Sequence, residues 1–271
     1  WDARETTMPE GNPAVAMSYR SADGEEGYPG NLDITVTYSL TPDNGLVIDY
    51  EATTDAPTIV NPTSHAYYNL HGTTEHSTDS HLLTIHASGF TPTDAGLIPT
   101  GEILPVEGTP LDFRTPHAIG ERIGRTDYKP LAFGNGYDHN WALDKPEAGT
   151  VSLAAEAYEP ATGIRMKIYT DQPGLQFYAG QGMDGKEVGK RGDRHNFRSG
   201  IALETQNFPD APNHDNFPSS VLRPGESIRS THSKQTSNNQ PPDNGNPAAN
   251  GLRPDRNRTL QRRTSRRNDT P

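Results

Sequence analysis

Three short segments of this chain hold the residues whose types and spacing could do chemistry. They are Asn61–Gly72, Gly136–Trp141 and Leu203–Ala211. Each segment places an ionisable side chain among aromatic and amide residues. Amides and carboxylates hydrogen-bond hydroxyl groups, while aromatic rings cover the C–H faces of a sugar. The mixture therefore predicts a solvent-accessible, concave site for a polyhydroxylated ligand.

The segments around these residues have the pattern of β-strands. Apolar and polar residues alternate over residues 32–40 and again over residues 46–52, with the turn residues Thr41-Pro-Asp-Asn-Gly45 between them. This pattern predicts a β-hairpin. Similar alternation occurs at Leu83–Ala87, Ile164–Tyr169 and Leu175–Tyr178.

Helix signals are weak by comparison. Only Thr115–Ile123 offers an N-cap residue, a proline at the first helical position and an i, i+4 apolar pair. We predict one short surface helix there. Many short strands with polar loops and no intervening helices favour an all-β fold, a large antiparallel β-sandwich, over alternating strands and helices.

Composition excludes several classes of function. The 271 residues include no cysteine, so a disulfide framework and a thiolate metal site are excluded. No apolar run approaches the ~20 residues of a membrane span. Residues 1–226 carry 15 Lys/Arg and 32 Asp/Glu, a net charge of −17, whereas residues 227–271 carry nine and three, a net charge of +6. An acidic body repels phosphate, so we expect no nucleic acid or membrane partner, and a neutral ligand fits better than a phosphorylated one.

In their order and spacing the three segments resemble the aldose 1-epimerases, also called galactose mutarotases. Thr63-Ser-His-Ala-Tyr-Tyr-Asn-Leu70 is similar to the family pattern Asn-His-(Ser/Thr)-Tyr-Phe-Asn-Leu, with Ser64 in place of the usual asparagine. The segments Glu204-Thr-Gln-Asn-Phe-Pro-Asp-Ala211 and Gly136–Trp141 match further family motifs. The resemblance covers residues 1–226. It implies a super-sandwich of antiparallel sheets, interconversion of the α and β anomers of hexoses such as glucose or galactose, and no cofactor.

The resemblance also implies a role for particular residues. Opening and reclosing a cyclic hemiacetal needs one group that takes the proton of the anomeric hydroxyl and another that protonates the ring oxygen. His65 corresponds to the family's general acid and Glu204 to its general base. Asp138 and Gln176 correspond to residues that hydrogen-bond sugar hydroxyls. Taken singly, each of the four also fits a structural position. His139 is expected to be structural, because adjacent strand residues face opposite sides.

Metal binding is not expected from the remaining histidines. Their spacing matches neither His-Glu-x-x-His nor a zinc-finger pattern. The histidines concerned are His71, His76, His81 and His86.

The expected partner is a small aldose, bound by a cytoplasmic monomer.

The resemblance implies family segments that lie outside this chain. Upstream of the tryptophan that corresponds to Trp1, relatives carry a Gly-Arg-x-x-Asn-Arg segment and a second histidine, both at the sugar. We therefore expect a sandwich that is incomplete at its N-terminus, exposes sheet edges, and folds poorly or binds sugar weakly.

The C-terminal part of the chain departs from the family pattern. Beyond Glu226 the alternation stops, and Ser, Asn, Pro, Thr and Arg dominate. We expect the family's final strand to be missing and residues 227–271 to form a disordered basic tail that follows a single domain of residues 1–226. The basic cluster Arg256–Arg267 has a second interpretation as a tail that binds nucleic acid or a partner protein.

Two other functions remain open on the sequence. An epimerase of hexose 6-phosphates would need a cationic pocket. A non-catalytic carbohydrate-binding sandwich would keep the pocket without turnover. The presence of both His65 and Glu204 disfavours that module. The absence of the family's upstream site residues from this chain favours it. The candidate phosphate ligands are Arg114, Arg191, Arg194 and Arg198.

Overall fold

A computed structural model describes residues 1–238 of the chain, and residues 239–271 lie outside the described part. The described residues are mostly in strands. In chain order the strands are β1 (Asp2–Thr7), β2 (Pro13–Ser21), β3 (Leu32–Leu40), β4 (Gly45–Thr54), β5 (Thr58–Ile59), β6 (Tyr67–Tyr68), β7 (Leu82–Ile85), β8 (Gly89–Thr91), β9 (Leu104–Pro105), β10 (His117–Ala118), β11 (Asp138–Ala142), β12 (Ser152–Glu159), β13 (Ile164–Thr170), β14 (Gly174–Tyr178), β15 (Ile201–Gln206), β16 (Val221–Leu222) and β17 (Ile228–Asn238). The helices are α1 (Ile119–Arg122) and α2 (Lys129–Gly134), with single 3₁₀ turns at Glu25–Gly27, Thr78–Ser80 and Ala211–Asn213.

The predicted hairpin is present and shows how local chemistry sets strand register. β3 and β4 pair from Leu32 opposite Thr54 to Leu40 opposite Leu46. The Gly45 N–H donates to the Thr41 hydroxyl at 2.8 Å, which closes the turn. Asn44 takes the left-handed conformation (φ 62°), which asparagine tolerates better than most residues.

Two antiparallel sheets form the body of the fold. The larger has the strand order β1-β2-β3-β4-β17-β13-β12-β7-β10, and the smaller has the order β6-β15-β14-β11-β8-β9. A separate two-stranded ribbon joins β5 and β16. The predicted all-β, antiparallel architecture is confirmed.

The main core fills the space between the two sheets. The larger sheet contributes Leu83, Ile85 and Ile168, and the smaller contributes Trp141 and Phe177. The polar atoms of two core aromatic residues reach backbone carbonyls, as most buried polar groups do. The Trp141 indole N–H donates to the Leu111 carbonyl at 3.0 Å, and the Tyr137 hydroxyl donates to the Pro110 carbonyl at 3.1 Å.

The C-terminal strand corrects the expected domain boundary at residue 226. β17 pairs with β4 on one side and β13 on the other, so it is an interior strand of the larger sheet. The prediction that this strand is missing, and that disorder begins at residue 227, is therefore wrong for Ile228–Asn238. The rest of the predicted basic tail, including Arg256–Arg267, lies outside the described residues.

The helices also differ from the prediction. The predicted helix begins late, because His117–Ala118 pairs with Leu82 and Leu83 as β10, which leaves only Ile119–Arg122 helical. A second helix, Lys129–Gly134, was not predicted. Within residues 1–238 no helix is long and apolar enough to cross a membrane.

Three histidines are buried as neutral rings. Burial lowers the pKa of each of His81, His139 and His232 to about 4. His139 accepts from the Asp138 N–H at Nδ1, so its Nε2–H faces the Pro130 carbonyl at 3.2 Å. Such rings must take up protons when the chain unfolds in acid.

We predict that acid destabilises the fold between pH 6.5 and pH 4. The folded-state pKa values lie below the ordinary ~6.5 of histidine, so the stability they confer is complete above pH ~6.5 and is lost as the pH falls toward 4. Each histidine contributes up to about 1.4 kcal/mol per pH unit. Urea denaturation at pH 7.5 and pH 5.0, at constant ionic strength, measures the effect. Equal midpoints at the two pH values would contradict the assignment.

Candidate active site

The site lies on one face of three neighbouring strands of the smaller sheet. Gln176 on β14 pairs with Glu204 on β15, and Asp138 on β11 pairs with Tyr178 on β14. Directly paired residues and those two positions apart share a face. Asp138, Gln176 and Glu204 therefore point the same way. The alternate residues of these strands, such as Phe177, enter the main core.

A loop between β5 and β6 carries His65 to this face. The Asn61 side chain donates to the Asn207 carbonyl at 3.1 Å and accepts from the Asn207 N–H at 2.9 Å. The Thr63 hydroxyl donates to the Thr205 carbonyl at 3.0 Å. These three bonds fasten the loop along the end of β15. As a result, His65 stands beside Glu204.

His65 and Glu204 form the closest acid–base pair of the site. His65 Nε2 lies 3.3 Å from Glu204 Oε1. The His65 side chain is 51% exposed, whereas Glu204 is 8% exposed, so the imidazole forms the open wall and the carboxylate the floor. A ring oxygen and an anomeric hydroxyl are bonded to the same carbon, so an acid and a base that serve both must be neighbours.

Asp138 and Gln176 form the second pair. The Gln176 side-chain amide donates to Asp138 Oδ1 at 2.7 Å. This bond orients the amide and leaves its carbonyl oxygen and the second carboxylate oxygen as acceptors for ligand hydroxyls. All four residues singled out in the sequence therefore stand on one surface.

Burial raises the pKa of both carboxylates, and the charge of Asp138 adds to the shift at Glu204. Burial raises the pKa of Glu204, His65 lowers it, the Asp138 charge raises it and Lys234 lowers it. Burial also raises the pKa of Asp138, although the Gln176 hydrogen bond opposes this. A carboxylate with a raised pKa is a stronger base, which suits proton transfer near neutral pH.

Comparisons with known proteins decide the family. The sequence profile of the aldose 1-epimerase family matches residues 1–234. The chain belongs to the aldose 1-epimerase family. The match extends past residue 226 and includes most of β17, in agreement with the corrected boundary.

Relatives in this family are similar over most of the chain. The chain is 43% identical over 213 residues to the galactose mutarotase of Homo sapiens, a match that covers 78% of the chain and 59% of the relative. It is 38% identical over 220 residues to the aldose 1-epimerase of Escherichia coli, covering 80% and 62%. The chain thus spans about six-tenths of the length of these curated relatives.

Solved structures agree with the fold. An aldose epimerase homologue from C. elegans superposes with a TM-score of 0.75 at 29% identity, covering 87% of this chain and 68% of that one. Galactose 1-epimerase from Lactobacillus acidophilus superposes with a TM-score of 0.75 at 27% identity, covering 89% and 67%.

Sequence reasoning missed Lys234, a buried residue of β17. Its amine lies 4.5 Å from the centre of the Tyr68 ring, and it has no hydrogen-bond partner among residues 1–238. Burial lowers the pKa of Lys234 to about 8, and the Glu204 charge opposes this shift. No sequence signal marked this residue, because the strand that holds it has no apolar alternation.

A histidine cluster outside the site is the one group in the described range whose ligand atoms lie close enough to hold a metal. It comprises His71, His81 and Glu159, with these atoms within 4.8 Å of one another. The Leu70 N–H donates to His81 Nε2 at 2.9 Å, so the neutral ring carries its proton on Nδ1. Nδ1 lies 2.9 Å from Glu159 Oε2, so the proton of the ring faces the carboxylate. A metal bound at Nδ1 would move the ring proton to Nε2, where it would face the Leu70 N–H, so the cluster fits a structural role better than a metal site.

The four arginines proposed as phosphate ligands do not gather at the site. Arg114 pairs with Asp112 at 2.7 Å, Arg198 lies 3.2 Å from Asp79, and Arg194 donates to a backbone carbonyl. Arg191 lines a cavity that none of the other three arginines lines.

We predict that Asn61→Ala lowers the free energy of unfolding by about 1–3 kcal/mol, because it removes two hydrogen bonds that fasten the His65 loop to Asn207. Asn61→Asp keeps the acceptor and should lose less. Chemical denaturation of the three proteins measures the difference. Equal stability of Asn61→Ala and the native chain would show that the tether does not hold the loop.

Proposed function

We propose that this chain is an isomerase that interconverts the α and β anomers of a hexose such as glucose or galactose. The observation that carries the proposal is the 3.3 Å approach of His65 Nε2 to Glu204 Oε1 beside the Asp138–Gln176 pair. Membership of the aldose 1-epimerase family supports the same reaction.

In the proposed mechanism Glu204 takes the proton from the anomeric hydroxyl while His65 protonates the ring oxygen. The bond between the anomeric carbon and the ring oxygen breaks, and an open-chain aldehyde forms. Rotation of the aldehyde and the reverse proton transfers close the ring to the other anomer. Asp138 and Gln176 hold hydroxyl groups so that the anomeric carbon stays between acid and base. Each proton transfer is worth about 10²–10⁴-fold in rate.

The charges around the site favour a neutral sugar over a hexose 6-phosphate. Asp138 and Glu204 both face the ligand, whereas three of the four candidate arginines already have partners, Asp112, Asp79 and the Gly185 carbonyl. A phosphate group placed near two carboxylates would be repelled.

We predict that the native chain accelerates the loss of optical rotation by freshly dissolved α-D-glucose or α-D-galactose, and that Glu204→Gln and His65→Asn each lower the rate at least 100-fold. Polarimetry measures this, with circular dichroism as the control for folding. A non-catalytic sugar-binding module would bind the sugar and give no acceleration with the native chain, which would overturn the proposal.

The pH dependence of the rate gives a separate test. Because the base must be ionised, kcat/KM should fall as the pH drops through the raised pKa of Glu204. Asp138→Asn removes a neighbouring negative charge that raises this pKa. The acid limb of the residual activity should therefore move to lower pH. An acid limb that stays in place or moves to higher pH would exclude Glu204 as the titrating base.

A further inference from the structure

Lys234 is a buried cation that the mechanism above does not use. It is 4% exposed and lies on β17, the middle strand of the larger sheet. Its paired neighbours are Leu46 on β4 and Ile168 on β13, and both are apolar. Its amine has no hydrogen-bond partner among residues 1–238. Burial of an unpartnered ammonium group is unfavourable, so an apolar side chain would suit this position better unless the charge serves the site.

The Tyr68 ring holds the amine against the smaller sheet. The Lys234 amine lies 4.5 Å from the centre of this ring, which is a cation–π contact. Tyr68 belongs to β6 and pairs with Ile201 at the start of β15. β15 is the strand that carries Glu204. A cation of the larger sheet therefore lies against the neighbour of the strand that carries the proposed base.

Glu204 is the carboxylate to which Lys234 is coupled. The Glu204 charge favours the protonated form of Lys234, and the Lys234 charge favours the ionised form of Glu204. Both residues are more than nine-tenths buried, and charges in such surroundings interact over longer distances than in water. His232, two residues before Lys234, is a neutral ring, because burial lowers its pKa to about 4. The two buried charges therefore support each other.

Three further titratable groups face Glu204 from the elements around it. His65 on the loop before β6 favours the ionised carboxylate, whereas Asp138 on β11 disfavours it. Tyr67 on β6 is also within reach of the Glu204 charge. His65 is half exposed and gives up its proton in the proposed reaction, whereas Lys234 is enclosed and exchanges no proton with the sugar. Of the two cations, Lys234 is therefore the one whose charge is constant during turnover.

We propose that Lys234 is a positioning residue of the site, whose buried ammonium group is the counter-charge that keeps the Glu204 carboxylate ionised. It acts through Glu204 and not on the sugar itself. The inference rests on the proposed function, because it takes Glu204 as the base. Without this counter-charge, a carboxylate enclosed beside Asp138 would become protonated at a higher pH and would cease to act as a base there.

Titration of the Glu204 carboxyl group tests the proposal without relying on turnover. Carbon-13 NMR of the full chain, labelled at the carboxyl carbons of glutamate, follows this group, and Glu204→Gln identifies its signal. Lys234→Met keeps the length of the side chain and removes the charge, so the midpoint of the Glu204 titration should move to higher pH. Lys234→Leu gives the same test if Lys234→Met does not fold. A midpoint that stays in place or moves to lower pH would overturn the proposal.

Two further lysine variants show whether the charge at this position causes the effect. Lys234→Arg keeps a cation, so its midpoint should lie closer to that of the native chain than the midpoint of Lys234→Met does. Lys167 precedes Ile168 on β13, and adjacent strand residues face opposite sides. Lys167→Met therefore removes one positive charge from the other face of the sheet and should leave the midpoint unchanged. An equal shift in Lys167→Met would overturn the proposal, because it would show an effect of net charge alone.

The pH dependence of anomer exchange keeps the two proposals apart. The ratio of kcat/KM at pH 5.0 to that at pH 7.0 should be at least about three-fold lower in Lys234→Met than in the native chain, with circular dichroism as the control for folding. This direction is opposite to the one expected for Asp138→Asn. If the native chain accelerates no sugar, the proposed reaction fails, while the NMR midpoints still decide the role of Lys234. If it accelerates sugars and the midpoint does not move in Lys234→Met, the reaction stands and the role of Lys234 fails.

Discussion

The alternation of side chains along β11, β14 and β15 is the constraint on which the rest of the site depends. One set of residues, including Trp141, Phe177 and Leu203, is buried in the main core. The other set, Asp138, Gln176 and Glu204, is thereby forced onto the opposite face. A register slip of one residue would bury the carboxylates and expose the aromatic rings, at a cost of several kcal/mol per buried charge. The packing of the core therefore fixes which residues can meet a ligand.

Two further ionisable side chains reach the site from other parts of the chain. His65 comes from a loop fastened by the Asn61–Asn207 bonds, and Lys234 comes from the larger sheet through β17. His65 and Lys234 act on Glu204 in the same direction, since both lower a pKa that burial raises. Glu204 thus stays ionisable although it is almost enclosed. Membership of the aldose 1-epimerase family and this arrangement both support the proposed reaction.

The sequence predicted most of what depends on local pattern. The β3–β4 hairpin and the strands at residues 164–170 and 174–178 have clear alternation, and the four site residues stand in recognisable motifs. β17 could not be predicted, because its residues are mainly polar and it forms by pairing with β4 and β13 on both sides, where context overrides propensity. The missed Lys234 follows from that error. The predicted start of α1 was wrong, because Thr115 and Pro116 precede strand β10 instead of capping a helix.

In the proposed reaction His65 and Glu204 act as one unit. Two-dimensional exchange NMR of the anomeric protons of galactose measures the α/β interconversion rate for the native chain, His65→Asn, Glu204→Gln and the double variant. If the two residues act together, the double variant should be no slower than the slower single variant. Removal of either partner already abolishes the coupled proton transfer. Rate losses that multiply in the double variant would contradict the account, because they would show that the two residues act independently.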